Sequence, residues 1–422
     1  MAEDRLEPVP TRSLPWTIIH VVLTTRDYAV KGWLRFVYRP FRRVRKVTRD
    51  SARDTWARVR VDAYRWWRWG RGIPARSARR VHVWNDAWKE VKTYAPEWRV
   101  KRELQRLASD DAPIIVGPWL SEVGFEVLYW VPFVRWVQAH YHLEPSRLTV
   151  LTRGGAAVWY QDIAKRSVEV FDLVTPEEFT KGNAQRILES NGSLKQWTIT
   201  PFDRTLIDAA ARRAGLRRAQ VLHPSHMYRL FEQFMLGHRH SDFFRRHTIF
   251  KRLDKPAVTV PPLPPGYVAV KFYTAASLPD SLEMRRALQG VVRALAERWP
   301  VVLLDTGFAL DDHDDYAFDG SAGIVSLKDA LRPRDNLAVQ TAVIANARAF
   351  VGTCGSLAWL APMLGVDTTA IFADPRFLHG HLQVGRQVYQ NLGAGRFSPL
   401  DISALDALGL TVVSKEAKHE YS

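Results

Sequence analysis

The chain has little that suits an exported or membrane-spanning protein. Cys354 is the only cysteine among 422 residues, so no intrachain disulfide can form, which is usual for a reducing cytoplasm. No apolar run reaches the roughly 18 residues of a spanning helix. The longest early run, Leu14 to Leu23, contains Pro15 and His20 and is not followed by a small-residue cleavage site. We therefore expect a cytoplasmic protein without a signal peptide.

The basic charge lies in the first quarter of the chain. Residues 1–105 hold 25 Lys and Arg against 11 Asp and Glu, which is +14 of the net charge of +16, and they hold 9 of the 16 tryptophans. Helical spacing predicts helices from Arg42 to Trp69 and from Val83 to Leu107, the second interrupted near Pro96. Arginine beside tryptophan is typical of segments that bind an anionic membrane surface. Packing on the core and nucleic-acid binding are the alternative uses of these residues.

Beyond Ala112, short apolar runs alternate with helical stretches, which is typical of parallel sheets with crossover helices. The proline-rich stretch Pro256–Gly266 divides this pattern in two. We predict an α/β fold with two Rossmann-like domains facing across a cleft: a helical extension (1–110), a first Rossmann-like domain (111–255), a linker (256–266), a second Rossmann-like domain (267–400) and a tail (401–422). The predicted strands are Pro113–Val116, Arg147–Leu151, Val168–Leu173, Trp197–Thr200, Gln220–Leu222, Tyr267–Phe272, Val301–Leu304, Ala349–Val351 and Thr368–Phe372.

A glycine-containing turn lies between a predicted strand and helix of the second domain. Its residues are Gly352, Thr353, Cys354, Gly355 and Ser356. Free backbone N–H groups at a helix start attract anions, and glycine lets the backbone approach a phosphate closely. We predict that Gly352, Thr353, Gly355 and Ser356 bind the phosphates of a ligand. The alternative is a plain turn in which Ser356 caps the helix.

This turn carries a resemblance to a known family. The motif A-x-x-F-V-G at 347–352, the small-residue turn, and a helix closing with Leu364-Gly365-Val366 resemble the donor site of the lipopolysaccharide heptosyltransferase family. That family has Asp-Ser-Gly in the turn and a following histidine, whereas this chain has Thr353-Cys354-Gly355 and no such histidine. The resemblance implies a two-domain (GT-B) sugar transferase with a nucleotide-sugar donor, in which 111–255 is the acceptor domain and 267–400 the nucleotide-sugar domain. It does not extend to a heptose donor.

The first predicted loop resembles the same family in its glycine, acidic residue, helix and proline. In that family an acidic residue of this loop is the general base, which removes the proton of the attacking acceptor hydroxyl. Glu126 matches by its spacing to Pro132, and Glu122 lies in the loop itself. Either one is the predicted base, while a helix-stabilising role of Glu126 is the alternative. Ser121 and Gly124 are predicted to contact the acceptor.

Polar residues at other predicted strand ends complete the candidate site, because open α/β sheets bind ligands at that edge. Lys271, Thr306, Gly307 and Arg332 are predicted to bind the donor, and Lys271 in an apolar strand needs an anionic partner. Arg153 and His226 are predicted to bind the acceptor. The acidic run Asp311–Asp315 fits neither a calcium nor a zinc motif, so we predict an exposed loop and no metal.

These features predict a glycosyltransferase, inverting and independent of metal. It would move a sugar from a nucleoside-diphosphate donor to a glycan or lipid-linked acceptor at the inner membrane face. The donor is a substrate, and no cofactor is expected. The alternatives are a DNA- or protein-modifying glycosyltransferase, a fucosyltransferase, a nucleotide-sugar 2-epimerase and an inactive membrane-associated scaffold.

Overall fold

The computed structural model describes residues 94–308, 310, 313–318, 322–393 and 395–403. All of them fall in one compact unit of the chain. The predicted helix from Arg42 to Trp69 and the tail beyond Ser403 lie outside the described residues. Among the described residues, no helix has both the length and the apolar character needed to cross a bilayer.

The first sheet has four parallel strands in the order β3-β2-β1-β4. The strands are β1 (Ile114–Val116), β2 (Leu148–Thr152), β3 (Arg166–Glu169) and β4 (Gln220–Leu222). Ile114 lies opposite Leu148 on one side and Gln220 on the other. β1 and β2 are buried along their whole length, which explains why a parallel sheet appears in the sequence as short apolar runs.

The second sheet has six parallel strands in the order β10-β9-β8-β5-β6-β7. The strands are β5 (Val268–Lys271), β6 (Val301–Leu303), β7 (Ile324–Ser326), β8 (Ala349–Thr353), β9 (Thr368–Phe372) and β10 (Phe397–Asp401). Lys271 at the end of β5 pairs with Gly352 on β8. Residues 248–264 between the sheets contain no helix or strand. Two parallel sheets with crossover helices confirm the predicted fold class.

Helices cover both sheets. They are α1 (94–109), α2 (through Val123–Phe125, Glu126–Trp130 and Val131–His140), α3 (Pro176–Glu189), α4 (Pro201–Arg213), α5 (Pro224–Met235), α6 (Ser241–Arg245), α7 (Leu282–Ala296), α8 (Asn336–Ala345), α9 (Ser356–Leu360) and α10 (His379–Leu392). Helix α1 is described from Tyr94 and contains Pro96 in its first described turn; residues 83–93, on which the predicted interruption also depends, lie outside the described residues.

The predicted strand Trp197–Thr200 is also wrong. Thr200 caps α4: its hydroxyl accepts from Asp203 N, and the Asp203 carboxylate accepts from Thr200 N. Pro201 at the first helical position favours the same helix start. A capping box therefore explains the Thr200–Asp203 pattern better than a sheet does.

The first lobe is built on the four-stranded sheet and the second on the six-stranded sheet. The two lobes pack closely along α8. Gly154, after β2, accepts hydrogen bonds through its carbonyl from Leu337 N and Ala338 N at the start of α8. The Trp159 indole donates to the Thr341 hydroxyl at 3.0 Å. In the sequence, α8 lies among the elements of the second sheet. It is buried throughout and forms the wall between the two lobes.

Candidate functional site

The loop after β1 is held in place by one buried side chain. The Gln196 amide donates to Pro118 O at 3.0 Å and accepts from Leu120 N at 2.9 Å. The same amide donates to Asp203, which forms the capping box of α4 with Thr200. Gly117 has φ of +108°, and a Cβ there would lie 2.7 Å from Leu151 O, so only glycine fits the start of this loop.

The loops of the two sheets meet at Gly124 and Ser356. A Cβ on Gly124 would lie 2.7 Å from Ser356 N, so the two backbones touch. Ser356 has φ of +36°, a region that residues other than glycine rarely adopt and that is enriched at functional sites. One cavity lies on each side of this contact, and Val123, Tyr273, His313 and Ser356 line both.

The first of these, the polar cavity, has a volume of about 70 Å³. Its polar lining includes Arg153, Lys271, Thr306, Asn336, Gln340 and Ser356. Arg153 is 4% exposed and donates to Ser121 O at 2.8 Å, but among the described residues it forms no ion pair. A buried guanidinium of this kind attracts an anion.

The second, the aromatic cavity, has a volume of about 290 Å³. Its lining includes Glu122, Phe125, Tyr129, Lys195, Trp359 and His381. Tyr129 Oη and His381 Nδ1 are 2.5 Å apart, and burial lowers the pKa of His381 to about 4, so this histidine is neutral near pH 7. A carboxylate beside aromatic rings suits a sugar ring approached by a hydroxyl nucleophile.

A surface groove continues from the aromatic cavity towards solvent. It is lined by Ser121, Glu122, Phe125 and residues 192–195 with Trp197. The Lys195 ammonium lies 5.4 Å from the centroid of the Phe125 ring. Glu122 and Lys195 line both the groove and the aromatic cavity, so a ligand in the groove would reach both.

The two candidate bases lie in different surroundings. Glu126 is 1% exposed, lines none of the cavities described above, and accepts a hydrogen bond from the Tyr160 hydroxyl at 2.7 Å. Burial raises the pKa of Glu126 to about 7, against the lowering effects of Tyr160 and Arg153. Glu122 is half-buried and lines the aromatic cavity.

A π-helical turn explains the position of Glu126. The residues Glu126–Trp130 form this wider turn within α2. Counting back from Pro132 assumes α-helical geometry, but a π turn changes which residues share a face. The spacing that favours Glu126 therefore does not bring its carboxylate to the cleft.

Lys271 has the anionic partner that its position in an apolar strand requires. This partner is Asp315 of the same chain, not a ligand. The Lys271 ammonium lies 2.6 Å from the Asp315 carboxylate and donates to Leu304 O at 2.9 Å. Asp315 also accepts from Thr306 N. The acidic run predicted to be merely exposed thus supplies a structural counterion, and the argument that Lys271 needs a ligand anion is wrong.

The turn after β8 uses part of its polar surface internally. The Thr353 hydroxyl accepts from Tyr273 N at 2.9 Å and donates to Tyr273 O at 3.0 Å. Gly352 packs on the backbone of Lys271, and a Cβ on Gly355 would lie 2.3 Å from the Tyr273 hydroxyl. Of the predicted phosphate ligands in this turn, Ser356 is the one that lines both the polar and the aromatic cavity.

The remaining predicted residues are spread more widely. Arg332 is exposed, and Gly307 packs under the Lys328 side chain. His226 faces Glu103 of α1, at 3.6 Å between Nε2 and Oε2, and lines none of the cavities described above, so its contact with the acceptor stays a prediction. Within the described part of the chain, no group of three or more metal-ligating side chains could hold a metal ion.

Several residues of the site are not among those predicted from the sequence. Tyr273 and His313 line both cavities; Tyr273 follows β5, and His313 lies within the acidic run. The pattern of strand ends could have found Tyr273, two residues beyond Lys271. His381 and Gln340 lie within helices, where nothing in the sequence distinguishes a cavity-facing residue from a packed one.

Comparison with known proteins gives a likeness of fold. No family model and no curated protein matches the chain. Among solved structures, the chain is similar to the ADP-heptose LPS heptosyltransferase II of E. coli, with 11% identity, a TM-score of 0.34, and coverage of 63% of this chain and 86% of that one.

Two further structures are similar at the same level. For a family 9 glycosyl transferase of Veillonella parvula the identity is 10% and the TM-score 0.36, over 72% of this chain and 93% of that one. For the UDP-GlcNAc 2-epimerase of Methanocaldococcus jannaschii they are 8% and 0.26, over 72% and 93%. Such values assign no activity, so the case for a function rests on the residues of the cleft.

Proposed function

We propose that this protein is a glycosyltransferase that uses a nucleoside-diphosphate sugar. The observation that carries the proposal is the pair of cavities at the Gly124–Ser356 contact, of which one is lined by the Glu122 carboxylate and the other by the buried Arg153 guanidinium beside the Lys271–Asp315 pair. Glycosyl transfer uses both charges: a base acts on the acceptor, and a cation stabilises the departing diphosphate.

The donor would span the contact between the lobes. Its diphosphate would lie in the polar cavity beside Arg153 and Ser356, and its sugar in the aromatic cavity beside Glu122. The Lys271–Asp315 pair would contribute hydrogen bonds but little net charge. Arg153 belongs to the first lobe, so a bound donor would join both lobes.

Transfer would then be a single displacement. Glu122 would remove the proton of an acceptor hydroxyl that enters through the surface groove. That oxygen would form a bond to the anomeric carbon of the sugar as the bond from this carbon to the phosphate oxygen breaks. The electron pair of the broken bond stays on the diphosphate, and the configuration of the sugar is inverted. None of these steps requires a metal.

Nucleotide binding tests the proposal. We expect one of UDP, GDP, ADP or dTDP, with CMP as the monophosphate control, to stabilise the fold by roughly 2.7 kcal/mol at about 100 times its dissociation constant in a thermal-shift measurement. Arg153→Gln should lose this shift, since the uncompensated cation is removed.

Arg217→Gln is the matched control, because Arg217 is exposed and lines neither cavity. It should keep the full nucleotide shift. Failure of all the nucleoside diphosphates to stabilise the wild-type protein would contradict the proposal.

We further propose that the acceptor lies at an anionic membrane surface. Helix α1 carries Trp98, which is 41% exposed, and the exposed arginines 99, 102 and 106 on neighbouring turns. The Arg102 guanidinium lies 5.4 Å from the centroid of the Trp98 ring. None of the three arginines forms an ion pair within the described part of the chain. This face follows directly on the basic, tryptophan-rich residues 1–93.

Vesicle flotation tests the membrane proposal. Each basic residue near an anionic surface contributes roughly 1 kcal/mol. The triple replacement of Arg99, Arg102 and Arg106 by Gln should therefore weaken binding to phosphatidylserine vesicles at least about tenfold. The same replacement of the exposed Arg212, Arg213 and Arg217 on the first lobe removes equal charge and should have little effect. Binding to duplex DNA with none to vesicles would favour a nucleic-acid partner instead.

A further inference from the structure

Gln340 is a buried polar residue that the fold does not explain. It lies in the middle of α8, which is buried throughout, and is itself 2% exposed. Its Oε1 atom has no hydrogen-bond partner among the described residues, and its Nε2 atom donates to none of them. A buried amide oxygen without a partner destabilises the fold, so such groups are rare unless a ligand or water satisfies them.

The neighbouring polar residue on α8 shows the contrast. The Thr341 hydroxyl accepts from the Trp159 indole at 3.0 Å and donates to Leu337 O. Thr341 is therefore fully used by the packing between the lobes. Gln340 faces the polar cavity, where the buried Arg153 also has an unpartnered Nε atom among the residues that the structure describes.

The two side chains define the chemistry of what would fill this space. Arg153 selects a group that accepts hydrogen bonds and is anionic, as a phosphate is. The Gln340 amide offers both a donor and an acceptor, and its oxygen can be satisfied only by a group that donates. An ionised phosphate does not donate. A hydroxyl does both, so a ligand with a hydroxyl close to its phosphate would satisfy both side chains.

We propose that the Gln340 amide binds a hydroxyl of the donor while Arg153 binds the adjacent phosphate, which makes Gln340 a specificity-determining residue. This inference rests on the proposed function and adds to it. In a nucleoside-diphosphate sugar, the hydroxyls near the phosphates belong to the ribose or to the transferred sugar. Both the ribose and the transferred sugar offer a hydroxyl, and the experiment distinguishes between them.

The test is a cycle between a protein change and a ligand change, measured by titration calorimetry. The ligands are the nucleoside diphosphate that stabilises the wild-type protein, its 2′-deoxy and 3′-deoxy forms, and the corresponding nucleotide sugar. The protein variants are wild type and Gln340→Leu, with Thr341→Val as the control for loss of a buried polar group on the same helix.

If Gln340 binds the ribose, Gln340→Leu and one deoxy ligand each weaken binding about tenfold, and together they weaken it no further. If it binds the transferred sugar, Gln340→Leu weakens only the nucleotide sugar by this factor. Thr341→Val should change neither affinity. The inference is overturned if Gln340→Leu leaves every affinity unchanged while the nucleotide still binds, since the amide would then be satisfied by water alone. That result would leave the proposed glycosyltransferase standing.

Discussion

Replacing Glu122 by Gln should lower the rate of sugar transfer by about 10²- to 10⁴-fold, the usual contribution of a general base. The amide keeps the size of the carboxylate but cannot take up a proton at neutral pH. Because Glu122 lies on the acceptor side of the Gly124–Ser356 contact, the dissociation constant of the nucleotide should stay within about twofold of wild type. The measurement is release of nucleoside diphosphate from the stabilising nucleotide sugar, with a membrane lipid extract as the acceptor.

The matched control is Glu126→Gln, four residues further along α2. The amide oxygen of the substituted side chain would still accept from the Tyr160 hydroxyl, so transfer should continue near the wild-type rate. Loss of transfer in Glu126→Gln with an active Glu122→Gln would contradict the assignment of the base. Conversion of the nucleotide sugar to an epimer, without release of nucleotide, would contradict the proposed transfer itself.

The same control variant has a signature in the pH dependence of stability. The pKa of Glu126 is about 7 in the folded protein, whereas an unperturbed glutamate has a pKa of roughly 4.3. Below the unfolded value the group is neutral in both states and its full contribution to stability is present. That contribution is lost as the pH rises through the folded pKa. Glu126→Gln should therefore reduce the fall in unfolding free energy between about pH 4 and 7. Part of the fall should remain, because burial also raises the pKa of Glu169.

Most of the strands that the sequence predicts are interior and buried, although the edge strand β4 is predicted as well. β1, β2, β5 and β8 lie inside their sheets, and each is a short apolar run with a turn after it. The strands that escape prediction lie at the edges. Ile324–Ser326 is largely exposed and Phe397–Asp401 alternates in burial, so neither has a sustained apolar pattern. Edge strands are specified by their neighbours more than by their own composition.

The location of the site is predictable, but the use of its side chains is not. Parallel strands bring their carboxyl ends to one edge, which is why the pattern alone indicates the Glu122 loop, Arg153 and Ser356. Which polar group remains available to a ligand depends on partners distant in sequence. Lys271 is neutralised by Asp315, 44 residues later, and the Thr353 hydroxyl is taken up by the backbone of Tyr273.

Gly124→Ala should disrupt the joint between the two lobes. The added Cβ would lie 2.7 Å from Ser356 N and 3.1 Å from a ring carbon of Trp359, and a backbone atom cannot yield as a flexible side chain can. Overpacking of this kind usually costs about 1–3 kcal/mol. It would also move Ser356 relative to Glu122, and a displacement near 1 Å can lower a rate about 10²-fold. We expect both a lower melting temperature and a loss of transfer.

A glycine in open space gives the control for this change. Gly290 is exposed within α7, and a Cβ there would meet nothing within 4 Å. Gly290→Ala should stabilise the protein by roughly 0.5–1 kcal/mol, because alanine loses less backbone entropy in a helix, and transfer should be unaffected. Opposite signs in the two variants would tie the effect at position 124 to the contact with Ser356. An active Gly124→Ala with an unchanged melting temperature would mean that the backbones at Gly124 and Ser356 are free to separate. Catalysis would then not depend on the contact that brings Glu122 and Arg153 together.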